Sequence, residues 1–207
     1  MSKFTVMGPV DQRAQVNPFA PGYYETDELR GFGFRRVGEG VRVAKNTTIV
    51  GLENVTLDDH CRIDGHCTIV ATGGTLRLGR YVHVHTSVVI GCRGGVVLDD
   101  YSGVSHGCNI LSASDDFSGQ WMHNGTVPAH LCRPTIEPVW IGRHVAVGAG
   151  CTFLPGVTLG DGAAVGAHSL VQTDVPPWVI VAGTPARQVG VRSRRLLALV
   201  PREDAAA

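Results

Sequence analysis

The chain carries no surplus of either charge. Eighteen Lys and Arg balance eighteen Asp and Glu over 207 residues, which excludes both the basic footprint of a nucleic-acid binder and the solvated character of an acidic tail. There is no run of about 18 apolar residues able to cross a bilayer, and the opening residues lack the charged-then-apolar pattern that directs secretion; a cytoplasmic protein is expected. None of the six cysteines forms a Cys-x-x-Cys pair, and the chain is larger than the small secreted scaffolds that depend on disulfides, so reduced thiols are expected. Aromatic residues are scarce, at 6%. What is present instead is glycine, 27 residues of it, among isolated Val, Ile and Leu. The length suits one cored domain, and the mixture of glycine with spaced aliphatics calls for a search for repeats.

Read in sixes from Val37, the sequence repeats. VGEGVR, VAKNTT and IVGLEN are followed by two extra residues; then come LDDHCR, IDGHCT and IVATGG, three extra residues, and LGRYVH, VHTSVV and IGCRGG. Two more residues precede LDDYSG, VSHGCN and ILSASD, and past a long excursion follow IGRHVA, VGAGCT, FLPGVT, LGDGAA, VGAHSL and VQTDVP. All eighteen leading residues are apolar, and only Phe153 is not aliphatic. With hydrophobic residues at 43% of the chain, such a run arises by chance at roughly 10⁻⁷, so the period belongs to the fold. Every insertion falls after a third hexad, so the unit has three sides.

Short strands that point their leading residue inward and stack in parallel on the coils above and below make an all-β triangular parallel β-helix. About six coils are expected over residues 37–176, with a loop, 117–140, inserted after the fourth. Apart from Glu53, the fifth place of the hexads is small or slender, as at Val41, Cys61, Cys67, Cys108, Cys151, Ala163 and Ser169, and the four cysteines there read as compact filling of an inside corner. In the N-terminal segment, 1–36, Thr26 is expected to cap a short turn that lays Leu29 over the first coil, with residues 1–20 extended or poorly ordered. In the C-terminal segment, 177–207, VRSRRLLAL is expected to form a short basic helix with its leucines packed back, and EDAAA a frayed tail.

The stretch IGRHVAVGAGCTFLPGVTLGDGAAVGAHSLV, followed by VPPWVIVAGTPARQVG, closely resembles the hexapeptide-repeat acyltransferases, whose β-helices are left-handed. The resemblance runs from Val37 to about Val191, and the close AGTPAR, Ala182 to Arg187, is similar to that of galactoside, maltose and serine acetyltransferases. It implies transfer of an acetyl group from acetyl-CoA to a hydroxyl or amine, at sites between the subunits of a homotrimer, with the long loop reaching over a neighbour. It also implies that the pantetheine arm lies against small coil positions, Ala149 and Ala167. Arg187, within the motif, is then the first choice for a coenzyme A phosphate, with Arg192, Arg194 and Arg195 nearby. No metal, nucleic acid or membrane span is expected.

Acetyl transfer needs a base, and histidine suits it because its ordinary pKa lies near neutral pH. His60, His66, His144 and His168 take the fourth place of a hexad, a solvated bend, and nothing in the spacing of His123 and His130, in the loop, singles them out. His83 and His85 flank inward-pointing Val84, so both point outward beside one corner, and His106 lies one coil further on. With coils about 4.8 Å apart, the three form one patch. In relatives of the galactoside type the base stands at the break before the loop, where this chain has Asp115 or Asp116; in serine acetyltransferases it stands about one coil earlier, the region of His83 and His85. A sugar-acyltransferase subgroup with Y-V-H-I and S-x-D-D-[FY]-S-G is similar at Tyr81 to Val84 and Ser114 to Gly119, which implies a sugar or nucleotide-linked sugar as acceptor.

His83 is therefore the first candidate for the base, with His85 and His106 as alternatives and Asp115 as the orienting carboxylate. A face nearly 20 Å long, six residues at about 3.3 Å each, separates His83 from Asp115 within one chain, so that pairing is expected across subunits. The alternative for Asp115 and Asp116 is a turn cap with Ser114 and Ser118. Two other classes compete. Gamma-class carbonic anhydrases, zinc lyases, share the fold and resemble VSHGCNI, but their His-x4-His pair would need a histidine at Tyr101 or Leu111. A non-catalytic β-helix scaffold would show unbroken polar faces, without a loop or a terminal arginine group.

Overall fold

The computed structural model of the chain describes residue 17 and residues 19–200. The expectations for residues 1–16 and for the EDAAA tail lie outside the described residues. Three sheets form the sides of a triangular prism of about seven turns. Along the first face the strands Arg42–Ala44, Arg62–Ile63, His83–Val84, Gly103–Val104, Ala146–Val147, Ala164–Val165 and Val179–Ala182 stack in parallel. The second face runs from Thr48–Val50 to Leu170–Val171, and the third from Arg36–Val37 to Thr158–Leu159. Leading residues meet in register, for example Ile63 with Val84 and Val84 with Val104, so the axis is filled by a column of aliphatic side chains. Of the eighteen leads only Val37 and Ile49, on the first coil, are half-buried; the rest, Phe153 included, are buried. Each such burial contributes roughly 1.5–3 kcal/mol.

The corners explain the rest of the pattern. The fourth place of a hexad takes left-handed backbone, with φ between 57° and 61° at His60, His66, Tyr81, Ser87, Tyr101, His144 and His168. That conformation is unfavourable for any residue with a Cβ, and along one edge ring stacking offsets it: His60 on Tyr81, Tyr81 on Tyr101 and Tyr101 on His144 lie 4.7–5.1 Å apart. Inside the corners the thiols of Cys61, Cys67, Cys108 and Cys151 are buried and donate to the carbonyls of Gly79, His85, Gly148 and Gly166 of the next coil. Small size and a weak donor both suit a place with little volume and a carbonyl to satisfy.

Both ends differ from expectation in detail. Glu25, not Thr26, is the N-cap of helix Thr26–Arg30. Thr26 is buried, and its hydroxyl accepts the Val41 N–H at 2.8 Å, while Leu29, 1% exposed, closes the axis of the first coil. Strand Tyr23–Glu25 pairs antiparallel with Arg42–Ala44 and covers the opening edge of the first face. At the other end the solenoid continues beyond residue 176. The last hexad is cut to four residues: Asp174 supplies a side-chain acceptor to Thr158 N–H at 2.7 Å, and Val175 takes the place of a leading residue beside Leu159. Pro176 and Pro177 then lack the N–H groups a third-face strand would need, and Val179–Ala182 joins the first face. Arg187–Val191 returns antiparallel along it. The segment after it forms a 3₁₀ turn, Arg195–Leu199, in which Leu197 and Leu199 are exposed rather than packed back, while Leu196 is half-buried.

Candidate active site

Two outward columns flank the buried leads of the first face. One reads Arg42, Arg62, His83, Gly103, Ala146, Ala164; the other reads Ala44, Asp64, His85, Ser105, Gly148, Gly166. The second column is fixed by backbone hydrogen bonds, from Asp64 N–H to Val84, His85 to Val104, Ser105 to Val147, and Gly148 to Val165. A third column beside it reads Lys45, Gly65, Thr86, His106, Ala149, Ala167. The first half of the face therefore carries ionisable side chains and the second half almost none. A shallow trough of Gly and Ala leads up to the histidines, and Ala149 and Ala167 line it. Gly148 is needed there for close approach, since a Cβ would lie 2.6 Å from the Ala167 nitrogen.

At the head of the trough the structure places a carboxylate that the sequence reading missed. Asp64, buried, accepts from Tyr23 Oη–H at 2.7 Å, from Arg62 Nε–H at 2.7 Å, and meets His83 Nε2 at 2.9 Å. Arg62 also donates to the Tyr23 oxygen at 2.8 Å. Burial pushes the Asp64 carboxyl up, but hydrogen bonds from Tyr23, His83 and Arg62 outweigh it and hold the carboxyl at about 2. An ionised carboxylate only accepts, so Nε2 of His83 carries the proton and Nδ1 is left as the acceptor. His85 lies against His83, ring centroids 3.7 Å apart, with Nδ1 4.0 Å from Asp64. Burial, then the charges of His83 and His106, push the His85 pKa down. His106 is exposed, 4.7 Å from the His85 ring, and its Nδ1 shares a 2.8 Å hydrogen bond with the Thr86 hydroxyl. The three histidines thus form one patch. Asp64 was legible in principle, since hexads led by Ile63 and Val84 stack and place it directly beneath His85.

Asp115 is elsewhere. The excursion leaves the second face through a short ladder, Ala113–Ser114 against Thr135–Ile136, and Asp115 accepts the Asn124 N–H at 3.2 Å. Asp116 is a turn cap: its oxygens accept from Ser118 Oγ, Gly119 N and Trp121 N, and the Ser118 bond leads the pull that lowers its pKa. Both aspartates line a cavity of about 330 Å³ with Phe117, Gly119, Trp121 and His123. Within the chain, then, the carboxylate paired with His83 is Asp64 rather than Asp115. Among the terminal arginines, Arg187 is exposed. Arg192 is a structural tie, not a surface cation: it donates to the carbonyls of His144, Gly162 and Ala163 across two coils. Arg194 lies over the Trp178 ring, 5.4 Å from its centroid. No helix among the described residues is long and apolar enough to cross a membrane.

A left-handed β-helix with a loop grafted at one corner and a histidine patch at the head of a small-residue trough defines an acyltransferase of the hexapeptide class. Residues 138–173 match the family model described as bacterial transferase hexapeptide, six repeats. The chain is 34% identical over 178 residues to the dTDP-4-amino-4,6-dideoxy-D-glucose acyltransferase of Escherichia coli, covering 86% of this chain and 92% of that one. It is 32% identical over 124 residues to galactoside O-acetyltransferase of Escherichia coli K12, covering 56% and 54%. The structure of AntD, an N-acyltransferase from Bacillus cereus in complex with dTDP and 3-hydroxybutyryl-CoA, superposes with a TM-score of 0.82 at 29% identity, over 86% of this chain and 94% of that one. The chain belongs to the hexapeptide-repeat acyltransferase family.

Proposed function

We propose that the protein is an acyl-CoA-dependent N-acyltransferase that acts on an amino sugar linked to a nucleoside diphosphate, with His83 as general base. The observation that carries the reading is the Asp64–His83 pair at the head of the Gly and Ala trough. Small side chains at Gly103, Ala146, Gly148, Ala149, Ala164 and Ala167 leave room for an extended pantetheine arm whose thioester reaches the histidines, and the exposed Arg187 stands ready for a phosphate. The acceptor is suggested by the relative that spans nearly the whole chain, and by an AntD complex that holds dTDP-4-amino-4,6-dideoxyglucose and coenzyme A.

In this reading the sugar amine attacks the thioester carbonyl carbon. A C–N bond forms, the C–S bond breaks, and the coenzyme A thiolate leaves. His83 Nδ1 takes the proton shed by the nitrogen and passes it to the thiolate. Asp64 accepts from Nε2 and so fixes the tautomer and orientation of the imidazole, the orienting role the sequence suggested for Asp115. Asp115 then belongs on the acceptor side, presented by its loop to the histidine patch of the neighbouring subunit in a trimer. One detail supports its place in the site. In AntD, mutants have been crystallised at a serine and at an aspartate ten positions further on, and the only serine in this chain followed at that spacing by an aspartate is Ser105, with Asp115. Ser105 follows Val104 on the coil after His83 and His85.

The test is a transfer screen with acetyl-CoA and longer acyl-CoA donors against amino and hydroxyl sugars, free and nucleotide-linked, read by thiol release and product mass. An N-acylated nucleotide sugar formed one for one with free coenzyme A is expected. Transfer confined to a hydroxyl sugar, or no thiol release with any acceptor, refutes the reading.

A further inference from the structure

We infer that Asp64, His83 and His85 form a binding site for a divalent transition-metal ion of the zinc class. The sequence points to no metal, since the His-x4-His spacing of the carbonic anhydrases is absent and no motif marks Asp64. Stacking of the hexads led by Ile63 and Val84 puts one carboxylate and two imidazoles on a single corner, and their donor atoms all lie within 4.8 Å of one another. Two imidazoles and a carboxylate are a donor set that suits zinc, cobalt and nickel over magnesium or calcium.

The geometry is close to what such an ion needs. With metal–ligand bonds of about 2.0–2.1 Å, neighbouring donors stand about 2.9–3.4 Å apart. His83 Nε2 and Asp64 Oδ2 are already 2.9 Å apart. His85 Nδ1, at 4.0 Å from the same oxygen, has to close by about 1 Å or less. Its side chain is 34% exposed but lies against the His83 ring, centroids 3.7 Å apart, so closing the gap turns the two rings relative to one another. Tyr23 and Arg62 hold the other carboxylate oxygen, which fixes the orientation of the ligand and leaves one oxygen to coordinate. The Arg62 guanidinium also offsets the carboxylate charge, so the site is a reversible one, with solvent completing the coordination sphere. Because the ion takes the lone pairs and the carboxylate that join Asp64 to His83, occupancy also withdraws that pair from acyl transfer. This last consequence rests on the proposed function; the coordination does not.

The purified, chelator-treated full chain is titrated with Co²⁺ and followed by visible absorption, and with Zn²⁺ by calorimetry. One ion per chain, a d–d absorption band and release on acidification, as the imidazoles protonate, are expected. His83→Gln and His85→Gln each weaken binding by about tenfold or more, with unchanged circular dichroism showing that both variants fold. Absence of the d–d band with Co²⁺ in excess, or undiminished binding in both variants, overturns the site. Turnover measured on the same samples separates the two claims: ion bound one to one without inhibition leaves the metal site standing and counts against His83 as the base.

Discussion

Replacing Asp64 by Asn keeps the shape of the side chain and removes its charge, and the structure sets out what must follow. In the wild type the carboxylate accepts three hydrogen bonds, from Tyr23, Arg62 and His83, all between 2.7 and 2.9 Å. An amide has one oxygen to offer, and its NH₂ group turned toward His83 meets a ring N–H. To avoid that clash His83 must shift its proton to Nδ1, which removes the acceptor that the transfer step uses. General-base catalysis contributes typically about 10²–10⁴-fold, so kcat/KM is expected to fall within that range while the KM for acyl-CoA changes little. Stability changes in a defined window. The Asp64 carboxyl titrates at about 2 against an ordinary 3.8. A depressed native pKa stabilises the fold above the unfolded value and loses that contribution as pH falls from about 4 through 2. Allowing for solvent screening, it amounts to roughly 1–2 kcal/mol. Urea unfolding at stepped pH measures it: the wild type should lose this increment between pH 4 and 2, and Asp64→Asn should show a shallower loss. Equal slopes for the two proteins, together with activity within about twofold of wild type, would refute the reasoning for both the charge and the tautomer.

Four other outcomes follow from the structure. The His85 ring, half-buried between two other histidines, should titrate below the ordinary 6.5 in an NMR pH series; a value at or above it contradicts the patch geometry. Ala167→Trp, at an exposed position in the trough, should raise the KM for acyl-CoA about tenfold, worth about 1.4 kcal/mol of binding, without lowering the melting temperature. Arg192→Ala should destabilise the fold by about 1–3 kcal/mol, because the half-buried carbonyls of His144 and Gly162 lose a charged donor, and leave the KM for acyl-CoA unchanged, whereas Arg187→Ala should raise that KM. Phe153→Ala, at a lead with no exposure, should lower the stability measured by urea unfolding by about 3–5 kcal/mol.

How much of this could be read from the sequence differs between fold and site for a physical reason. The hexad period is a direct consequence of one inward side chain per short strand, so Ile63, Val84, Val104 and Phe153 announce the three-sided coil without any knowledge of contacts. The His83, His85 and His106 patch was legible for the same reason, since register along a regular stack is arithmetic. Asp64 obeys that arithmetic too: as the residue after Ile63 it stacks beneath His85, although no motif marks it as the break marks Asp115. The ends were less legible. Thr26 has the chemistry of an N-cap, but its hydroxyl accepts from Val41 instead, and the shortened hexad at Val171–Asp174 works because a side-chain carboxylate stands in for a strand acceptor, which no periodicity records. Arg192 looked like one of four surface cations, and only the folded backbone shows the carbonyls of His144, Gly162 and Ala163 converging on it.

The most direct test of the central claim, that an amine is acylated at the Asp64–His83 pair, is a crystal structure with coenzyme A and a dTDP-linked 4-amino sugar bound together. The sugar nitrogen should lie within hydrogen-bond reach of His83, about 2.6–3.2 Å directly or through one water, with the coenzyme A sulfur at the head of the Gly and Ala trough. A sugar nitrogen seated beyond that reach of His83, against His106 or in the loop cavity beside Phe117 and Trp121, would contradict it.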